Sequence, residues 1–292
     1  MTESHTNVQD LRSQLNDVDY IVDEGLGMAL FLARSLGQPL LLEGEPGVGK
    51  TTAAKALAQA TGGELIRLQC YEGITAAEAI YEWNYPRQLL SIRLAEANEQ
   101  AMSESDLFSE SFLLDRPLLK ALRSTDGPSP VLLIDEIDRA DDEFEALLFE
   151  FLAEASVTIP EIGTITAQRA PTVILTSNRS RELHDALKRR CFYHWIDFPD
   201  VESAAEIVRR RVPEGAVPLV RAATAFVTSA RTLDLDKPPG LAETIDWVSA
   251  LAMLGVAEID RGMVEATMGS FIKTPDDRVA MNAAMDSEVL VP

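Results

Sequence analysis

Short apolar runs alternate with longer helical stripes through the first 200 positions of the chain, the pattern of a parallel sheet covered on both faces. Runs at 39–43, 65–70, 131–135, 173–177 and 192–198 predict five strands. Helices are predicted over 52–60 and 144–155. In the second, Phe144, Leu147, Leu148, Phe151 and Leu152 recur at i, i+3, i+4, i+7 and i+8, one stripe that would lie on the sheet. The β-branched segments at 157–159 (VTI) and 164–166 (TIT), split by Pro160-Glu161-Ile162-Gly163, predict a small hairpin. Beyond residue 199 the strand pattern stops. The remainder is helical in pattern to about residue 286, with turn signals at 212–217 (VPEGAV) and 236–240 (DKPPG). The shift predicts an α/β domain over 1–199, with an N-terminal helix at about 8–36 and an insertion at about 71–125, followed by a smaller all-helical domain over 200–292. The stretch 103–115 (SESDLFSESFLLD) is acidic and irregular and predicts a surface insertion.

Composition sharpens this picture mainly through charge. The 292 residues are 46% hydrophobic, enough for two cores, but 26 Lys+Arg face 47 Asp+Glu, a formal net charge of −21. Such a surface repels phosphate backbones and anionic lipid heads, so neither a nucleic-acid partner nor membrane insertion is expected. No apolar run approaches the roughly 18 to 20 residues of a membrane span. The N-terminus carries Glu3, Asp10, Asp17, Asp19, Asp23 and Glu24 with no basic stretch before an apolar run, so neither a secretory signal nor a transit peptide is expected. Cys70 and Cys191 lie far apart with no Cys-x-x-Cys or Cys/His spacing, which argues against a disulfide framework or a zinc site and fits a cytoplasmic setting.

Four groups of residues carry candidate chemistry. Gly44-Glu45-Pro46-Gly47-Val48-Gly49-Lys50-Thr51 matches the phosphate-binding loop pattern at every fixed position, entered by an apolar run (Leu40, Leu41, Leu42) and left by a helix with Ala53, Ala54, Leu57 and Ala58 on one side. The backbone of Glu45, Pro46, Gly47, Val48 and Gly49, with Thr52 in the first helical turn, would cradle a triphosphate. Lys50 would reach its β and γ phosphates, and the Thr51 hydroxyl would hold Mg2+. In the second group, Val131-Leu132-Leu133-Ile134 runs into Asp135 and Glu136, placing two carboxylates at the C-terminal edge of the sheet. Asp135 would hold Mg2+ through its water shell and Glu136 would activate the attacking water. Third, the strand at 173–177 ends in Asn178, an amide that could orient that water, contact the γ-phosphate or serve as a turn residue. Fourth, Ala186-Leu187-Lys188-Arg189-Arg190-Cys191 is a basic cluster ending a helical stretch over 181–188. Taken alone, it reads as solvated helix-end arginines.

These four groups, in this order, resemble the AAA+ ATPases, with Asp135 and Glu136 in the Walker B place, Asn178 at the sensor 1 position and Arg189 or Arg190 where that family carries its arginine finger. Arg190 aligns best with the family's arginine ahead of an apolar strand. The words LLEGEPGVGKT, IRLQCYEG, YEWNYPRQLLSIR, LLIDEIDRADDEFEALLFEFL, ALKRRCFYHWIDFP and KPPGLAETIDW resemble the MoxR branch, and within it the CoxD-type ATPases associated with carbon monoxide dehydrogenase maturation, over roughly residues 22–251. The resemblance implies a P-loop AAA+ fold with a helical lid, ATP and Mg2+ as cofactors, and a hexameric ring. It also implies remodelling of a client protein such as a metalloenzyme (a molybdenum hydroxylase), with a possible von Willebrand factor A domain partner. The family's sensor 2 arginine does not stand at its expected place, which holds Leu241 or Ala242; Lys237 could substitute, or the lid could report nucleotide state by packing alone.

A monomeric nucleotide switch or small-molecule kinase would use the same loop. A GTPase would need Asn-Lys-x-Asp, and the nearest stretch, Asn178-Arg179-Ser180-Arg181, lacks the Asp. Tyr71, Tyr81, Trp83 and Tyr85 are expected in the core rather than on a substrate-gripping surface. His184 and His194 are expected to be structural, and Met253, Met263, Met268, Met281 and Met285 to fill gaps in the helical domain.

Overall fold

The computed structural model describes residues 7–291, so Glu3 lies outside the described residues. The elements run α1 (Val8–Asp17), α2 (Glu24–Leu36), β1 (Leu40–Gly44), α3 (Lys50–Thr61), β2 (Leu65–Gln69), α4 (Ala76–Ala79), β3 (Tyr81–Trp83), α5 (Tyr85–Ala97), α6 (Glu104–Leu107), β4 (Leu113–Asp115), α7 (Pro117–Arg123) and β5 (Val131–Asp135). They continue with α8 (Asp142–Glu154), β6 (Ser156–Ile159), β7 (Gly163–Thr166), β8 (Thr172–Ser177), α9 (Asp185–Lys188) and β9 (Phe192–Ile196). The C-terminal helices are α10 (Val201–Arg211), α11 (Val217–Ala230), α12 (Leu241–Met253), α13 (Arg261–Thr267) and α14 (Pro275–Asp286).

The expected α/β fold is present. Five strands form one sheet in the order β2-β5-β8-β1-β9, and β2, β5, β8 and β1 pair parallel, with Leu65 opposite Val131, Leu132 opposite Val173 and Leu40 opposite Ile174. β1, β5 and β8 are buried along their whole length, as strands sandwiched between helices must be. Alternate residues serve the two faces: Leu41, Leu132, Ile134, Val173 and Leu175 join a core with Leu118 and Leu122 of α7 and Phe144, Leu148 and Phe151 of α8. Leu40, Leu42, Leu133 and Ile174 are equally buried on the other face. The predicted hairpin forms as β6 and β7.

Packing divides the chain into two compact units. One comprises Met1–Val18, Val22–Glu43 and Thr51–Trp195; the other comprises Asp19–Ile21, Gly44–Lys50 and Ile196–Pro292. In the second unit α10 to α14 enclose a core centred on Trp247, whose ring lies 4.4 Å from Phe271 and 5.5 Å from Phe226. Its Nε1 donates to the Thr267 hydroxyl at 2.8 Å, so the largest buried side chain leaves no polar atom unpaired. Met268, Met281 and Met285 are buried there, but Met253 at the end of α12 is 89% exposed and fills nothing.

Several local expectations change. Instead of one helix over 8–36 there are two: Asp19 turns the chain in left-handed backbone (φ 59) and Asp23 restarts it by accepting from Leu26 N at 2.8 Å. The 103–115 stretch is not simply an irregular surface loop. Phe112 is buried and Leu113–Asp115 pairs antiparallel with Tyr81–Trp83 as a second small sheet. Trp83 is buried against Phe108 as expected of a core aromatic, whereas Tyr71 and Tyr85 are exposed. The helix predicted over 181–188 shrinks to four residues, because Arg181 Nε donates to Ala140 O at 2.9 Å and its guanidinium pairs with buried Glu145. That pairing holds 181–184 as a loop.

Candidate active site

The loop between β1 and α3 holds three glycines in backbone that L side chains rarely adopt. Gly44, Gly47 and Gly49 have φ of 158, 81 and 99°, and a Cβ on Gly44 would lie 2.4 Å from Ile196 O. Around Gly49 no described atom lies within 4 Å of a Cβ position, so one side of the loop is open. Lys50 is buried and curls back, its Nζ donating to Gly44 O at 2.7 Å and Glu45 O at 2.8 Å. A loop closed by its own ammonium, opening a helix of 12 residues, is an anion cradle. Glu45, Pro46 and Gly47 are exposed, Val48 is buried, and Thr51 and Thr52 are half-buried. Gly47 O accepts from Leu241 N at 3.2 Å, and Gly47 and Gly240 approach so closely that a Cβ on Gly240 would meet Gly47 Cα at 3.0 Å.

At the C-terminal end of β5 the Asp135 carboxylate is almost wholly buried and fully engaged. Oδ1 accepts from the Thr51 hydroxyl at 2.9 Å and the Thr176 hydroxyl at 2.6 Å. Oδ2 accepts from Arg67 Nε at 3.0 Å and Nη2 at 2.6 Å. Thr176 works in both directions, since its oxygen also accepts from Glu136 N at 2.9 Å. Glu136 adopts left-handed backbone (φ 56, ψ 51), which an L-residue occupies at a cost of about 1–3 kcal/mol unless its surroundings hold it there. Its Oε2 accepts from Arg139 Nη1 at 3.0 Å. Burial, reinforced by the charges of Asp135, Asp138 and Glu136, pushes the nearby Cys70 thiol up to about 12, so it stays protonated at neutral pH.

The Thr51 hydroxyl and Asp135 carboxylate are hard oxygen donors of the kind Mg2+ takes. Among the described residues no group of three or more His, Cys, Asp or Glu could hold a metal ion. An ion at Thr51 and Asp135 would therefore complete its shell with water and phosphate, which is how Mg2+ usually sits beside a nucleotide.

Asn178 follows β8 directly, and what fixes it is Asp138, a residue the sequence reading did not single out. Asp138 is buried and its Oδ2 accepts from Asn178 N at 3.2 Å, Ser180 N at 2.8 Å and the Ser180 hydroxyl at 2.6 Å. These bonds hold a turn in which Arg179 takes left-handed backbone (φ 57). The signal was present in LLIDEID, whose second acid after the strand has no role in the Walker pattern. Thr51, Asp135, Thr176 and Glu136 thus form one hydrogen-bonded set, and Asp138 with Asn178 and Ser180 extends it along the chain beyond β5 and β8.

Arg189 and Arg190 lie outside it. Arg190 rests over the Phe149 ring at 5.0 Å and its Nη1 donates to Ala186 O at 3.1 Å; the Arg189 side chain is exposed, with no side-chain partner among the described residues. Where a sensor 2 arginine is missing from α12, Arg231 lies under the preceding loop. Its guanidinium stacks over Phe198 at 4.3 Å, Nε donates to Pro239 O at 2.6 Å, and burial lowers its pKa. Cys191, likewise pushed up to about 12 by burial, and Cys70 are both free thiols. His184 caps α9, its Nδ1 accepting from Ala186 N at 3.4 Å.

The AAA domain (dynein-related subfamily) matches residues 39–191. The chain is 27% identical over 187 residues to the uncharacterized protein YehL of Escherichia coli K12, a match that spans 61% of this chain and 46% of YehL, less than half of that protein's length. Among solved structures, two mutant forms of RuvB from Thermotoga maritima superpose with TM-scores of 0.49 at 18% and 19% identity, covering 90% and 92% of this chain and 70% and 74% of theirs. Matched over more than half of its length, the chain belongs to the AAA domain family, dynein-related subfamily.

Proposed function

We propose that this chain is a Mg2+-dependent ATPase of the MoxR type that spends ATP hydrolysis on remodelling a client protein. The observation that carries the reading is the hydrogen-bonded run from the Thr51 hydroxyl through Asp135 to Thr176 and the Glu136 amide, which joins the end of the phosphate loop to two adjacent strand ends. The loop amides and Lys50 bind the triphosphate, and Thr51 and Asp135 hold the metal. Mg2+ would neutralise phosphate charge and orient the β and γ phosphates. Glu136 is the base for the attacking water, and Asn178, held by Asp138, orients that water. Arg189 and Arg190 are both exposed, and Arg189, with no side-chain partner among the described residues, supports a trans-acting role in a hexameric ring better than Arg190, which is already held on Phe149.

The client is a metalloenzyme of the molybdenum hydroxylase or carbon monoxide dehydrogenase kind, reached in the cytoplasm and aided by a von Willebrand factor A domain partner. That part rests on the MoxR-like and CoxD-like sequence words alone. The acidic chain favours protein over nucleic-acid partners. No described helix is long and apolar enough to cross a membrane.

The test separates binding from chemistry. Lys50→Ala should abolish binding of a fluorescent ATP analogue. Glu136→Gln should bind it as the wild type does and hydrolyse ATP at least about a hundredfold more slowly. Wild-type turnover by Glu136→Gln would remove the assigned base.

A further inference from the structure

The Asp135 carboxylate already has a cation. Arg67, on the edge strand β2, reaches Asp135 Oδ2 with Nε at 3.0 Å and Nη2 at 2.6 Å, and Nη2 is also hydrogen-bonded to Gln69 Oε1. Its side chain is 47% exposed while that of Asp135 is 2% exposed. The remaining donors to this carboxylate, Thr51 and Thr176, sit on Oδ1, and Thr176 is buried within β8. A buried carboxylate without a metal needs a counter-charge, and Arg67 supplies it. A divalent cation arriving beside Thr51 on the Oδ1 side would stand across the same carboxylate from the guanidinium on Oδ2, and at that short separation beside a buried carboxylate the two like charges repel. Of the groups on Asp135, only Arg67 stands at a sheet edge with half its surface in water. It can leave without unmaking the sheet, and Gln69 offers its Nη2 a neutral partner on the same strand.

We propose that Arg67 is an internal counter-cation that occupies Asp135 in the metal-free protein and must swing off for a divalent cation to bind, so that Arg67 sets the Mg2+ concentration at which the site fills. The inference rests on the reading of Asp135 as a metal-holding residue. It makes Arg67 a positioning residue with two places, one on the carboxylate and one in solvent beside Gln69.

The experiment uses the full chain as wild type, Arg67→Met and Arg67→Lys, with two readouts. The first is the melting temperature in chelator and then across a Mg2+ titration with no nucleotide. Arg67→Met should melt below wild type in chelator and recover as Mg2+ rises. Its midpoint should fall about tenfold below that of the wild type, the factor that about 1.4 kcal/mol makes in a binding constant. Arg67→Lys keeps the charge without the forked geometry and should fall between the two, and it remains informative should Arg67→Met fail to fold. The second readout is the Mg2+ concentration needed for half-maximal binding of a fluorescent ATP analogue, which should shift in the same direction. Midpoints within twofold of each other, or a raised Mg2+ requirement in Arg67→Met, would overturn the counter-cation. If none of the three proteins bound the analogue while the metal-only shift appeared, the ATPase reading would fall and the counter-cation would stand. Normal Mg2+-dependent analogue binding with unshifted midpoints would mean the reverse.

Discussion

Asp138 offers a sharp test of how the site is held, because its side-chain hydrogen bonds among the described residues all go to the turn after β8. In Asp138→Ala three hydrogen bonds to one carboxylate oxygen are lost. At about 1.5–3 kcal/mol for each bond to a charged group, the gross loss is large, but two terms offset it. Ser180 is exposed, so its N–H and hydroxyl regain water, and removing the carboxylate abolishes its own desolvation, made worse by a buried Oδ1 with no partner among the described residues. What remains is the half-buried Asn178 N–H, a penalty of about 1–3 kcal/mol. Taking about 2 kcal/mol and the usual 2–4 °C per kcal/mol for domains of this size, the melting temperature should fall by about 4–8 °C. Asp138→Asn keeps an acceptor oxygen and should lose less than about half of that. If Asn178 orients the lytic water, release of the turn should also cost about a hundredfold in turnover through misplacement, with ATP-analogue binding intact. The assays are a thermal melt, analogue binding and steady-state turnover on the same preparations. Asp138→Ala with wild-type melting and wild-type turnover would show that the backbone alone sets the turn, and the argument would be wrong.

Other expectations follow from the same geometry. Mixing Lys50→Ala subunits with Arg189→Ala subunits should restore some hydrolysis where an intact loop meets an intact arginine. The same mixture made with Arg190→Ala should add nothing, since Arg190→Ala alone should retain most of its turnover; no recovery in demonstrably mixed rings would remove Arg189 from the role. Cys70 and Cys191, both pushed up to about 12 by burial, should resist a thiol reagent at pH 8 in the native protein and react fully in denaturant; rapid native labelling of either would contradict the burial. Burial alone would raise the Asp277 pKa, but hydrogen bonds from Thr274 and from the Asp236 and Lys237 amides bring it below the ordinary 3.8. Its contribution to stability should be complete above that value and fade as pH falls through the folded pKa. The melting gap between wild type and Asp277→Asn should therefore narrow below about pH 4, and a gap independent of pH would refute the assignment.

The five strands of the sheet were legible to within one or two residues: β1, β5 and β8, buried on both faces, are continuous apolar runs with no competing helical period, and the half-exposed edge strands β2 and β9 still carry enough apolar positions to be read. The glycine loop was legible because its backbone needs are written in residue type. The contacts around Asp135 were not. Arg67 lies 68 positions before it and reaches it only once β2 and β5 pair with Leu65 opposite Val131. Asp138 meets Ser180 across 42 positions only because β8 lies beside β5. Arg181 could not be read as a loop anchor without knowing that Glu145 is buried beneath it. Tyr71, Tyr85 and Met253 misled for the opposite reason: hydrophobicity states that a side chain can be buried, and only the fold decides whether it is.

The Thr176 hydroxyl, donating to Asp135 and accepting from the Glu136 amide, makes position 176 selective for polarity rather than size. Valine has nearly the same shape and would fill the same space in β8, yet it would leave the Glu136 amide without its acceptor and the Asp135 Oδ1 with the Thr51 hydroxyl as its remaining donor. Serine, smaller by a methyl, keeps both bonds at the cost of a small void. A library of substitutions at this one codon should therefore return serine among its functional survivors and reject the isostere, reversing the order in which a buried strand position ordinarily ranks its replacements.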